Sequence, residues 1–471
     1  MKGDFAVRAG LPCENGPNSF TLAVLLLLLS TPTTAATFTH PLPGTLLEAV
    51  AVTGPGGRPG VALLVAAGRD GKGARTLLFL DPARRSMERL TGGLHEEVSA
   101  LAAFDLAGNG ASVPIAGMQG VLFTAAGGSE RKVLDEPDVD LRSVAGALSG
   151  RPWLPVARTG RLDLLGRTHG GGLARQASFP LPVRAERLRW GLRLTSPPVT
   201  LLTGDPPLFA IGPETAGRRR LKTLLLSPME SEPTEAWSLL PADERLTDDR
   251  RYLRFDGTPA LAATTFGKIG ILARKRLRLF RLGRDRSRQG SAPVLAFETE
   301  CPLWHPLGVA SVNAVDDLNK DLVLVHPGGL RGRELLVSVV RGLGRARFDP
   351  APRRWKLNEE ATDWQHGTDF TGDGVPDLLV LVKDRLRLYA GDPKGPRPLS
   401  GRPVWSATVP GAPKQEQREE EEMAEEEISG PERERYVMAF SLPGGGRVAL
   451  ARGSQKDGRT VLTVVSASPS S

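Results

Sequence analysis

The feature that most narrows the fold is a recurrence. Eight times along the chain, a turn rich in Gly or Pro leads into a short apolar run, a polar gap and a second apolar run. The plainest copy is "DGVPDLLVLVKDRLRLYAG", from Asp373. Good copies are "GNGASVPIAGMQGVLFTAAGG" from Gly108, "FDGTPALAATTFGKIGILARKRLRLF" from Phe255 and "VDDLNKDLVLVHPGGLRGRELLVSVV" from Val315. Fainter ones begin at Gly56, Ser149, Gly204 and Pro443. The residues after 36 number about 435, so the units average roughly 54 residues. A spacing in this range signals a solenoid, a propeller or an array.

Each unit reads as a β-hairpin, with turn, strand, connection and strand in that order. The first strand is often apolar without alternation, as in "LLVLV", which fits a strand covered on both faces. The second can alternate. In "RLRLFRL" from Arg276, Leu277 and Leu279 are expected to face inward and Arg276 and Arg278 outward, guarding a sheet edge. One four-stranded sheet per unit, repeated radially, is a β-propeller. The predicted fold is therefore all-β, a β-propeller of seven or eight four-stranded blades, with seven resulting if the short unit near Ser149 merges with a neighbour. A linear β-solenoid is the rival, although its coils are usually shorter and more regular. The strand after Thr37 is expected to complete the last blade beside "RTVLTVVSA". The 54 Gly and 39 Pro suit a turn-rich β protein better than a helical one.

Two stretches fall outside the repeat. "FTLAVLLLLLS" (Phe20 to Ser30) is an apolar run of signal-peptide length, too short to span a bilayer, and is followed by small residues at Thr34 and Ala36. Residues 1–36 are read as a signal peptide cleaved near Ala36, and 37–471 as a single propeller domain that is secreted, to an extracellular or periplasmic location. Only Cys301 would then remain, so no internal disulfide is expected. "KQEQREEEEMAEEEISGPERER", from Lys414 to Arg435, has too few apolar residues to build a core, and is read as an acidic, disordered insertion. The formal charge of +8 comes largely from scattered arginine. With no nucleic-acid motif beside it, that balance points to solubility or weak attraction to anionic surfaces, and nucleic acid is not expected as a partner.

One turn is crowded with carboxylates. In "DFTGDGVPDLLVLV", Asp369, Thr371, Asp373 and Asp377 occupy positions 1, 3, 5 and 9, with Gly374 at position 6. Alternate side chains in a tight loop can converge on one Ca²⁺, which takes six to eight oxygens at forgiving distances. The carbonyl of Val375 at position 7 would add another ligand. The next residues form a strand, so this is not an EF-hand.

"DFTGDGVPDLLV" resembles the FG-GAP/VCBS repeat, D-x-[DN]-x-D-G-x-x-D followed by strand. That resemblance implies an integrin-α-like propeller with Ca²⁺ in some loops, held here by Asp369, Thr371, Asp373, Val375 and Asp377. Thr371 replaces the usual Asp or Asn, which weakens the site. On this reading a chelator lowers the melting temperature and Asp373→Ala removes the response. Other units depart further. "DLAGNGASV" keeps Asp105 and Asn109 but has Ala107 and Val113 at positions 3 and 9, so no metal is expected there. "DDLNKD" keeps Asp317, Asn319 and Asp321 at alternate positions without the glycine.

Local catalytic signals are poor. The six histidines are scattered, with no H-E-x-x-H, and neither a G-x-S-x-G elbow nor a phosphate-binding loop is present. Pro302 argues against a helix presenting Cys301 and His305 together. Two classes of function stay open. One is an exported, non-catalytic binding or adhesion module for a protein or glycan, monomeric and without a stable transmembrane anchor. The other is a propeller enzyme, such as a hydrolase, lyase or quinone-dependent oxidoreductase, with its site in the central channel.

Overall fold

The computed structural model describes residues 36–67, 73–98, 100–118, 121–126, 129–135, 153–158, 161–180, 200–202, 208–213, 221–226, 235–238, 245–256, 258–269, 272–281, 294–301, 308–312, 314, 319–328, 334–412, 436–454 and 460–467. The signal-peptide reading up to residue 35, the acidic insertion, Asp317 and His305 lie outside the described residues. Among the described residues the only helical element is a single turn at Pro55–Gly57; all else with regular structure is strand. No helix among them is long and apolar enough to cross a membrane.

Among the described residues the strands form eight antiparallel sheets in chain order, seven of four strands and one of three. The chain is an all-β propeller. We number the blades from Gly44. Blade 1 holds Gly44–Thr53, Pro59–Ala67, Arg75–Asp81 and Ser86–Leu94. Blade 3, the Ser149 unit, shows Trp153–Arg158, Arg161–Arg167 and Leu173–Pro180 as a sheet of its own and does not merge. Blade 5 holds Arg245–Phe255, Thr258–Ile269, Leu272–Arg281 and Val294–Cys301. Blade 6 holds Gly308–Val312, Asp321–Gly328, Glu334–Val340 and Arg353–Leu357. Blade 7 holds Asp363–Thr368, Asp377–Val382, Arg385–Tyr389 and Trp405–Thr408.

Blade 8 joins the two ends of the chain. Its first three strands are Val437–Ser441, Arg447–Ser454 and Thr460–Ala467, and its fourth is Ala36–Pro41. The register runs from Ala36 opposite Ser466 to Pro41 opposite Val461, which is the pairing expected for the strand after Thr37.

The core lies between blades. Val61, Leu63 and Val65 of blade 1 pack against Val448, Leu450, Leu462 and Val464 of blade 8. Val323, Val325 and Val337 of blade 6 pack against Leu378, Val380 and Val382 of blade 7. Second strands are thus sandwiched, and all six residues of Asp377–Val382 are buried. This explains apolar runs without alternation: a sheet with another sheet on each side has no solvent face.

One expectation about side-chain direction needs correcting. Leu277 and Leu279 are buried as predicted, but Arg278 is buried as well. The strand Leu272–Arg281 is third of four and is covered by Val294–Cys301, so it is not an edge. Glu298 on the covering strand takes both arginines, Arg276 at 3.1 Å and Arg278 at 3.0 Å.

Candidate functional site

In an antiparallel blade, the connections between strands one and two and between three and four emerge at the same end. Contacts between blades place these ends on one face of the molecule. The Lys320 N–H, before the second strand of blade 6, donates to Asp256 at the end of blade 5's first strand (3.0 Å). Arg353, opening blade 6's fourth strand, donates to the carbonyls of Asp392 (2.9 Å) and Arg397 (2.7 Å) in blade 7's third connection. Phe348 of blade 6 stacks edge-on against Phe255 and Phe297 of blade 5, at 5.0 and 5.8 Å.

The Asp369 loop lies on this face. Asp377 begins the second strand of blade 7 and is 1% exposed. Its Oδ2 accepts the N–H groups of Phe370 (2.6 Å) and Thr371 (2.8 Å), and its Oδ1 accepts that of Gly391 (2.9 Å). Burial pushes its carboxyl up to about 6 against the opposing pull of these three donors, with the Asp373 charge adding to the rise. Asp369 Oδ1 accepts Gly372 N–H (2.6 Å), and Oδ2 accepts Gly374 N–H (3.0 Å) and the Arg447 guanidinium (3.1 Å). Asp373 is exposed and accepts the N–H of Val375 (2.8 Å). Gly372 and Gly374 sit at φ 87° and 85°, the left-handed region glycine adopts without a Cβ penalty.

The predicted calcium ligands are therefore neighbours, but they point at protein donors. A carboxylate offers about four lone-pair positions. Asp369 and Asp377 direct theirs to backbone N–H groups and to one guanidinium. The residues as arranged do not fit an oxygen cage around a cation. Among the described residues, no group of three or more His, Cys, Asp or Glu side chains could hold a metal ion.

Blade 2, with strands Ala100–Phe104, Val113–Met118, Val121–Ala126 and Ser129–Asp135, repeats the turn without the ligand set. Asp105 accepts N–H groups from Gly108 (2.6 Å) and Gly110 (2.9 Å), and Asn109 accepts that of Ala111 (3.0 Å). Gly108 and Gly110 are left-handed too, at φ 71° and 84°. The turn belongs to Asp, Gly and Gly at these spacings.

Blade 6 repeats the buried anchor. Asp321 is fully buried at the head of the second strand, accepting from Ala314 N–H (2.9 Å) and Gly342 N–H (2.8 Å). It is the counterpart of Asp377. Matching the alternate acids of "DDLNKD" to the start of the motif misses this by starting too late. Matching the strands, "NAVDDLNKDLVLV" from Asn313 lies over "DFTGDGVPDLLVLV" from Asp369 without a gap, and Asp321 falls on Asp377.

The same face carries a feature absent from the sequence reading. Four large apolar side chains are exposed among the described residues: Val294, Leu295, Leu343 and Val404. Val294 and Leu295 open the fourth strand of blade 5, and Leu343 and Val404 lie in the connections between the third and fourth strands of blades 6 and 7. Leu343 tips a hairpin closed by Leu343 N–H to Arg347 O (2.8 Å) and Asp349 N–H to Arg341 O (2.9 Å). Three successive residues of that hairpin, Gly344, Arg345 and Ala346, are left-handed, at φ 80°, 54° and 53°. Arg341, Arg345 and Arg347 are exposed there, as are Lys394, Arg397 and Arg402 in the matching connection of blade 7. The two acids of these connections serve local turns: Asp349 accepts from Ala351 N–H (2.9 Å) and Asp392 from Gly395 N–H (2.6 Å).

No family model matches the chain, and no curated protein matches it. Solved structures that resemble it include BBS1N in complex with ARL6DN, at 12% identity and TM-score 0.41, covering 94% of this chain and 99% of that one. The WD40 domain of SCAP from fission yeast is 10% identical with TM-score 0.48, covering 92% and 98%. A chain of the mitotic checkpoint complex is 9% identical with TM-score 0.38, covering 81% and 96%. At these scores the likeness adds nothing to the sheet topology, and the FG-GAP/VCBS resemblance has no match behind it.

Proposed function

We propose that this propeller is a non-catalytic binding module whose docking face is formed by the connections before the fourth strands of blades 6 and 7 together with the start of blade 5's fourth strand, and that its ligand is an acidic protein segment with apolar anchors. One observation carries the reading: all four exposed large apolar side chains gather there. Exposed apolar residues clustered at polar rims mark interaction sites more often than scattered ones do. The sign of the partner follows from the loops, where six exposed basic residues stand against two acids already occupied by backbone donors.

Export and adhesion belong to the same proposal and rest on the apolar run Phe20–Ser30. N-terminal sequencing of exported protein should begin near Thr37; an intact Met1 in a cytoplasmic fraction would remove that part. The docking face is tested by selecting a random displayed-peptide library against the full chain. Enriched peptides should combine Asp or Glu with bulky apolar residues. Leu343→Asp with Val404→Asp should weaken their binding at least about tenfold, the loss of roughly 1.4 kcal/mol of contact. Raised salt should weaken it further. Basic or purely polar peptides, or binding indifferent to both substitutions, would refute the surface.

A further inference from the structure

We propose that Arg447 is the resident cation of the Asp369 loop, a guanidinium supplied by blade 8 that offsets the Asp369 charge while backbone N–H groups hold the other carboxylates, so that the turn forms without a divalent ion. The argument is one of occupancy. Asp369 and Asp377 have four carboxylate oxygens between them, and every one accepts a backbone N–H at 3.0 Å or less. Among the described residues the Arg447 guanidinium pairs with this cluster, 3.1 Å from Asp369 Oδ2. Both partners of that pair are mostly buried, each 19% exposed. A guanidinium donates along fixed directions and cannot be deprotonated in a protein, so it is a permanent counter-charge.

Blade 2 supports the reading independently. Its Asp105 loop forms the same turn with Ala107 and Val113 where a cage would need oxygen. In both blades the turn is set by N–H donors and left-handed glycine, so it forms without a ligand set. The Arg447–Asp369 pairing also ties neighbours together. Arg447 opens the second strand of blade 8, while Asp369 follows the first strand of blade 7.

The test uses the full chain and two readouts. Titration of wild type with CaCl₂ by calorimetry should give no binding heat, and the melting temperature should be the same in chelator and in millimolar Ca²⁺. Separately, Arg447→Gln and Asp369→Asn should each raise the unfolding equilibrium constant about tenfold, as loss of a charge-assisted hydrogen bond does. The double variant should be no worse than the worse single one. Arg447→Lys, which keeps the charge, should recover part of the loss and serves if the Gln variant does not fold. Calcium-dependent stabilisation of wild type that Asp369→Asn abolishes would overturn the proposal. Strictly additive effects of Arg447→Gln and Asp369→Asn would overturn it equally.

Discussion

Asp321 and Asp377 show how one buried carboxylate can organise a blade. Each heads a second strand and gathers N–H groups from the connection before that strand and from the residue after the third strand. It thereby fixes three pieces of chain at once. Asp321→Ala would leave the Ala314 and Gly342 N–H groups buried without this partner. Each such group costs about 1–3 kcal/mol, so we expect the urea midpoint to report a loss of roughly 2–5 kcal/mol. A loss under about 1 kcal/mol would mean that water replaces the carboxylate. Asp377, whose carboxyl is raised to about 6, stabilises the fold as pH falls from 6 towards 4, and is opposed there by His366. The Nδ1 of His366 is buried without a hydrogen-bond partner, and burial lowers its pKa from 6.5 to about 4. The unfolded chain binds the proton more tightly, so this contribution is fully present above pH 6.5 and is lost as pH falls through 4. At about 1.4 kcal/mol per pKa unit, the loss reaches at most about 3 kcal/mol. His366→Phe should make stability rise as pH falls from about 6 to 4, because the Asp377 contribution is then unopposed; a slope unchanged from wild type would assign the dependence to other groups.

The Leu343 hairpin is an element that works against its own backbone. A non-glycine residue in the left-handed region costs about 1–2 kcal/mol, and this hairpin holds two in succession. Ala346 is buried and Phe348 is wedged against Phe255 and Phe297, so packing on blade 5 sustains the strain. Such strain is commonly found where a surface has a task. Arg345→Gly should relieve it and stabilise the fold by up to about 1 kcal/mol, after the greater freedom of glycine in the unfolded chain is offset. The same change should weaken binding of acidic peptides. Stabilisation without any loss of binding would remove Arg345 from the docking face. In sequence, "RGLGRARFDP" reads only as a basic loop, because left-handed alanine and arginine have no local signature.

Closure involves the whole molecule. Six residues at one end of the described chain, Ala36–Pro41, supply the outer strand of a blade whose other three strands come from the far end. Phe38 packs against the core shared by blades 8 and 1. A variant starting at Leu42 should lose about 2–4 kcal/mol of stability and expose the edge of Thr460–Ala467 to pairing with other chains. Thermal unfolding and light scattering would show a lower transition and aggregation. A melting curve matching that of the full chain would mean that closure does not depend on this strand pair.

The repeat was legible without coordinates because turns and buried strands are local chemistry. Gly and Pro punctuate the chain, and the sandwiched runs "LLVLV" and "LVLV" need no knowledge of what covers them. The pairing of the strand after Thr37 with "RTVLTVVSA" could also be foreseen, since a closed ring leaves one blade short of a strand. Tertiary structure decided the rest. Which way a carboxylate points depends on donors brought from elsewhere: Gly391 from the end of another strand, Arg447 from another blade. Asp369 and Asp377 read as ligands because sequence shows like charges crowded together and hides the N–H groups and the guanidinium that their oxygens accept. Arg278 looked like an edge residue because alternation reveals a side chain's direction but not what stands opposite. The docking face was invisible for the same reason, since Leu295, Leu343 and Val404 lie far apart in the chain and share a face only when successive blades stand side by side.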